Sequence, residues 1–146
     1  NVESTLDQLA LKFFKLYAQY EFFLKENDYF VVRGGKILVD WDRFVNEQIG
    51  PDFLELMGDS HPSAEFILEF PPKKQVVNEH NKIIWGDVSN NERSVQILFG
   101  HISRIRNNLF HGAKFNGTWF SPERNFQLIT SAIVVLECFK DRVNLQ

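Results

Sequence analysis

The chain has one cysteine, Cys138, so an internal disulfide and a thiolate zinc cage are both excluded. Its four histidines, His61, His80, His101 and His111, never stand at i, i+4 from one another, and no metal or cofactor is expected. No apolar run approaches the roughly 20 residues of a membrane span, so no membrane association is expected. The first residues, N-V-E-S-T-L-D-Q, carry acids where a secretory leader would be apolar. The chain starts at Asn1 without an initiator methionine, which is the expectation for a trimmed or partial chain. Scarce cysteine fits a reduced, cytoplasmic setting.

A strongly basic coat is also missing: the net charge is −3. That sum hides an asymmetry. Residues 1–70 hold 6 Lys and Arg against 13 Asp and Glu, whereas residues 71–146 hold 10 against 6. A polyanion would prefer the second half; a chance split of surface charge accounts for the same numbers. What the chain does have is apolar bulk. Hydrophobic residues make up 44% of the 146 and phenylalanine alone contributes 15, enough for one folded domain with a sizeable core.

Leu6, Leu9, Ala10, Phe13, Tyr17, Tyr20 and Leu24 recur at helical spacing and predict a long helix over 5–26, with Ser4 and Asp7 as a capping pair. Phe14, Phe22 and Phe23 lie off that stripe. Either this helix is buried on two sides, or it offers a second apolar face to a partner. Y-F-V-V-R-G-G-K-I-L-V over 29–39 predicts a hairpin turning at Gly34-Gly35. Asp40 or Asp42 should cap a short helix ending at Gln48, Pro51 should open another to Met57, and 58–62 should be a loop. Ser63 should cap a turn or two of helix to Phe70, and K-K-Q-V-V-N-E-H-N-K-I-I-W should form two extended arms around 78–82.

From Ser89 the helical period returns, with Val95, Leu98, Ile102, Ile105 and Leu109 as its stripe. Gly112 and Gly117 mark the following loop. Ser121-Pro122-Glu123 is a helix start, and Phe126, Ile129, Ile133, Leu136 and Val143 carry a final helix to near Leu145. The expected fold is mainly α: an antiparallel helical bundle of three long helices, with short helices and one or two small β-hairpin arms. It forms a single domain over 1–146, in which 28–88 is an insertion of short helices and β-arms before the second long helix.

The string R-I-R-N-N-L-F-H-G-A-K-F at 104–115 carries the candidate chemistry. At about 100° per residue, the apolar stripe of this helix centres roughly 60° from Arg106. Arg106 therefore sits on the shoulder of the buried face, and Asn107 and His111, at i, i+4, share a face turned away from it. Alternatively, the helix ends near Phe110 and His111 turns back at Gly112. Arginine offers a permanent forked cation for phosphate oxygens, histidine moves protons near neutrality, and asparagine orients either. Together they suit RNA cleavage by the RNA's own 2′-hydroxyl, without metal. Arg104 and Lys114 are close enough in sequence to help hold a backbone phosphate. One histidine per motif leaves the reaction short of an acid or a base, which two chains meeting along this helix would supply. The bland reading is a solvated arginine and a histidine placed by the helix dipole.

At these residues the chain resembles the HEPN domains, the α-helical family named for higher eukaryotes and prokaryotes nucleotide-binding. The family motif is Arg, a polar residue, a short spacer and His, and Arg106-Asn107-x3-His111 is similar to it position by position. R-N-N-L-F-H-G-x-K-F at Arg106–Phe115, and P-P-K-K-Q-V-V at Pro71–Val77 followed by a tryptophan, also look like uncharacterised bacterial members. The resemblance covers the motif helix and the final helix, the first helix by pattern, and 29–70 hardly at all. It implies Arg106, Asn107 and His111 as catalytic residues of a metal-independent endoribonuclease, Arg104 and Lys114 as RNA-binding neighbours, a homodimer with two motifs facing one cleft, and a toxin or phage-defence setting with an antitoxin protein as partner. Some members carry a Tyr two residues after the His, which a partner enzyme modifies; position 113 here is Ala, so that control does not carry over. The rivals are a non-catalytic HEPN module that binds RNA, a nucleotide or a protein, and a plain assembly protein that uses the spare phenylalanines of the first helix.

The remaining residues read as scaffold. His101 is expected to be packed or at the surface, and His61, His80, Lys73 and Lys74 solvated. Trp41, Trp85 and Trp119 are read as anchors, and Cys138 as packing.

Overall fold

In the computed structural model, residues 2–88, 92–110, 114–115, 118–119 and 121–143 are described, with side chains over 4–88, 92–110 and 121–143. The longest helix, α1, spans Val2–Glu26. Its stripe is buried as the spacing requires: Leu6, Phe13, Tyr20 and Leu24 are fully covered, and Ala10 and Tyr17 nearly so. The helix begins earlier than expected, so Ser4 and Asp7 lie inside it and not at a cap. Phe14 and Phe23 pack against the core while Phe22 stays exposed, so the helix is covered on more than its main stripe.

Asp28 ends α1 in the left-handed conformation at φ 69°. The Tyr29 amide reaches back to the Leu24 carbonyl at 2.8 Å and the Asp28 amide to that of Lys25 at 3.2 Å. That pair of hydrogen bonds is a Schellman closure, with an aspartate where glycine is usual. The chain then enters a hairpin of β1 (Phe30–Arg33) and β2 (Lys36–Val39), whose register pairs Val31 with Leu38. Gly34 and Gly35 both take positive φ, 56° and 76°, as the turn demands.

Helix α2 (Trp41–Gln48) follows, and its cap is Asp40, whose carboxylate accepts from the Arg43 amide. Gly50, at φ 82°, closes it. Helix α3 (Phe53–Met57) ends on a 3₁₀ turn at Gly58–Ser60, and α4 (His61–Glu69) starts at once with Pro62 in its first turn. The expected 58–62 loop and Ser63 cap are thus corrected. Proline's fixed φ favours the first turn of a helix, so the run G-D-S-H-P opens α4 instead of spacing it.

A second hairpin joins β3 (Lys74–Val77) to β4 (Ile83–Gly86). Helix α5 (Val95–Phe110) buries Val95, Leu98, Ile102 and Ile105, with Leu109 packed at its edge. A two-residue pairing, β5 (Lys114–Phe115) with β6 (Thr118–Trp119), was not expected from the sequence. Helix α6 (Pro122–Cys138) then gives way to a 3₁₀ turn at Lys140–Val143, so the final helix stops short of the expected Leu145. Ser121 stands at its head in the left-handed conformation, without a side-chain cap bond.

The fold is therefore mainly helical, with small antiparallel hairpins. Helix α6 packs on α1 and α4, and α5 on α2 and α4. The centre is aromatic. Trp41 lies 5.1 Å from Tyr17 and 6.0 Å from Phe99, ring to ring, and Phe44 meets Tyr20 and Phe99 edge-on. Burying each such ring is worth about 1.5–3 kcal/mol, which explains how scattered short elements are held to the helices. Trp41 is the anchor the sequence suggested. Cys138 is exposed, contrary to its reading as packing. No helix of the described residues is long and apolar enough to cross a membrane.

Candidate functional site

The last turns of α5 hold the candidate chemistry. Ile105 faces inward and is nearly fully buried, which fixes the rotation of the helix. Arg106, one step on, is half-buried. Its guanidinium carbon lies 4.8 Å from the Phe110 ring centre and 5.9 Å from that of Tyr17 on α1. Its Nη1 donates to the Asn107 side-chain oxygen at 3.2 Å, and Asn107 is exposed. Tyr17 is itself fixed, because its hydroxyl and the Ser103 hydroxyl share a hydrogen bond of 2.9 Å. Burial pushes the Tyr17 phenol up from its ordinary range, more than the Ser103 bond lowers it, so it is a neutral fixture.

The sequence placed Arg106 on the shoulder of the buried face, and there it sits, its guanidinium leaning onto a core tyrosine of α1. The aromatic faces attract the cation and hold its plane, the reason a half-buried arginine is tolerated beside an apolar stripe. Asn107 does face outward, as expected. His111 lies outside the described residues, as do the side chains of Lys114 and Trp119.

Arg104 is not brought to Arg106. Two residues apart on a helix means about 200° of rotation, so the two arginines leave α5 on opposite sides. Arg104 Nη1 is shut off from solvent with no hydrogen-bond partner among the described residues. Its expected help with a backbone phosphate is therefore not supported by its position.

His101 is buried, and its pKa is lowered to about 4, chiefly by loss of water and then by the nearby Arg104 charge. It is neutral near pH 7 and unsuited to donating protons. His61 and His80 are exposed beside Glu65 (3.3 Å) and Glu79 (3.4 Å). Among the described residues no cluster of His, Cys, Asp and Glu could hold a metal ion.

The sequence missed a second feature of α5. On the side away from Arg106, Ile105 and Asn108 line an open cleft of about 440 Å³, walled by β3–β4 and by the start of α6. Asn108 donates to the Lys73 carbonyl at 2.6 Å, and Arg124 Nη2 donates to the Pro71 carbonyl at 2.8 Å and more weakly to that of Phe70 at 3.4 Å. These bonds hold the run into β3 against both helices. Lys73 sits at the rim, 3.8 Å from the exposed Asp87 carboxylate. The only advance signal was the string from Pro71 to Trp85, which gave no contact to Asn108 or Arg124.

No family model, curated protein or solved structure matches the chain.

Proposed function

We propose that the protein is a HEPN-type, metal-independent endoribonuclease acting through Arg106, Asn107 and His111. The observation that carries the reading is the guanidinium of Arg106, set 4.8 Å from the Phe110 ring centre and 5.9 Å from that of Tyr17 and hydrogen-bonded to an exposed Asn107. A fixed fork of donors with one side toward solvent is what charge building on phosphorus requires. In this reading His111, directly after α5, takes the proton of the RNA 2′-hydroxyl. That oxygen attacks phosphorus, the bond to the 5′-oxygen breaks, and the leaving oxygen takes up a proton. The products are a 2′,3′-cyclic phosphate and a free 5′-hydroxyl.

The same proposal includes an antiparallel bundle of α1, α5 and α6 and a homodimer in which a second His111 faces the first Arg106. It also includes a cytoplasmic toxin or phage-defence role, with an antitoxin as a possible partner. The second-half excess of Lys and Arg agrees with a polyanionic substrate.

The test is cleavage of a mixed-sequence RNA in EDTA. Wild type should leave cyclic phosphate ends, and Arg106→Ala and His111→Ala should each lose about 10²–10³-fold. RNA bound but left intact by wild type would establish the non-catalytic module instead. Cleavage stopped by EDTA would remove metal independence.

A further inference from the structure

The cleft between β3–β4, α5 and α6 is a site of its own. Its floor and walls are apolar: Pro72, Ile84, Trp85, Ile105 and Leu128. The charged residues among those lining it are Lys73 and Arg124, both cations, and no carboxylate lines it among the described residues. Asn108 from α5 and Ser121 and Asn125 from the start of α6 add polar atoms to the lining. A volume of about 440 Å³ lies in the ordinary range for small-molecule sites, which combine mostly apolar walls with a few placed polar groups.

We infer that this cleft binds a small molecule with a flat aromatic body and one anionic group. Trp85, with Leu128 across from it on α6, gives the ring an apolar surface to lie on. Lys73 and Arg124 give the anion its counter-charges. The Arg124 bonds to the Phe70 and Pro71 carbonyls all come from Nη2, and a guanidinium has five N–H donors, so the same side chain can hold the strand and meet an anion. Among the described residues, the ion-pair partner of Lys73 is the solvent-exposed Asp87, a weak competitor for a ligand anion. The site is separate from Arg106. Ile105 and Asn108 share one side of α5, and Arg106 leaves it roughly 130° away. The inference holds whether or not the chain cleaves RNA.

A carboxylate and a phosphate would serve the anion equally, so the probes cover both. The full chain is titrated with 2-naphthoate, adenosine 5′-monophosphate, neutral 2-naphthalenemethanol and inorganic phosphate, with the tryptophan indole N–H resonances as the readout. Trp85→Phe assigns its own resonance. The Trp85 signal should shift saturably with one or both aromatic anions, with a Kd at least tenfold weaker for the neutral ring and no saturation with phosphate alone. If only 2-naphthoate saturates, the natural ligand is an aromatic acid; if only the nucleotide does, it is a nucleotide. Lys73→Glu, at an exposed position, should weaken binding at least tenfold with the fold intact by circular dichroism. Equal affinity for the neutral ring, no saturable shift with either anion, or unchanged binding in Lys73→Glu would overturn the inference.

Discussion

Arg106 lies over the face of Phe110, its guanidinium carbon 4.8 Å from the ring centre, one helical turn along α5. Phe110 is largely exposed and meets Phe14 of α1 edge-on at 5.9 Å. An exposed phenylalanine makes little sense as core, but it makes sense as one side of a clamp on a cation. Exposed cation–π contacts are worth about 0.5–1 kcal/mol, so Phe110→Ala should lower the RNA cleavage rate about two- to fivefold with little change in melting temperature. Tyr17→Phe keeps the second ring and should stay within about twofold of wild type, while Arg106→Lys, lacking the planar fork, should fall close to Arg106→Ala. Phe110→Ala cleaving at the full rate would refute the clamp.

His101 sets a pH dependence of stability. Its folded pKa, about 4, is below the ordinary value of 6.5, so the unfolded chain binds more protons between those values. Stability is complete above about pH 6.5 and declines as pH falls toward 4. The shift corresponds to a few kcal/mol across the window, at about 1.4 kcal/mol per unit. Urea midpoints should drop between pH 7 and pH 5 in wild type, and the drop should be shallower in His101→Gln. Parallel profiles would refute the assignment.

Tyr20 is fully buried, and its hydroxyl donates to the Leu136 carbonyl in the last turn of α6. Carbonyls there have no helical partner of their own. Burial drives the Tyr20 phenol far above its usual range, so it remains a donor at every physiological pH. Tyr20→Phe should cost about 1–3 kcal/mol in chemical denaturation, through a buried carbonyl left without its bond. A change within error would mean that the carbonyl is served otherwise.

The first hairpin depends on two consecutive positive-φ residues. Gly34→Asn should be nearly neutral, whereas Gly35→Val, at φ 76°, should cost about 1–2 kcal/mol and speed amide exchange at Val31 and Leu38. Equal exchange in both variants would refute the turn assignment.

Where one element carries its own pattern, the sequence was legible. The α1 stripe, the Gly34-Gly35 hairpin, the Asp40 cap and the α5 stripe all follow from local spacing. What it did not reveal depends on neighbours. Nothing in R-I-R-N-N says that Arg106 leans on Tyr17, some ninety residues earlier. Nothing in the G-D-S-H-P run distinguishes a loop from a helix whose first turn contains proline. The cleft joins Lys73, Trp85, Asn108 and Arg124 from four separate segments, and no periodicity links them. Ser121 was readable as a helix start but not as a left-handed residue without a cap bond.

Asn108 and Arg124, from two different helices, grip the backbone carbonyls of Phe70, Pro71 and Lys73 immediately before the second hairpin. The hairpin is thus moored at its root, while Val77 and Ile83 at its far end project largely uncovered. One wall of the crevice beneath that arm therefore hangs on a side-chain amide and a guanidinium, two rivets that stand apart from the aromatic heart of the molecule.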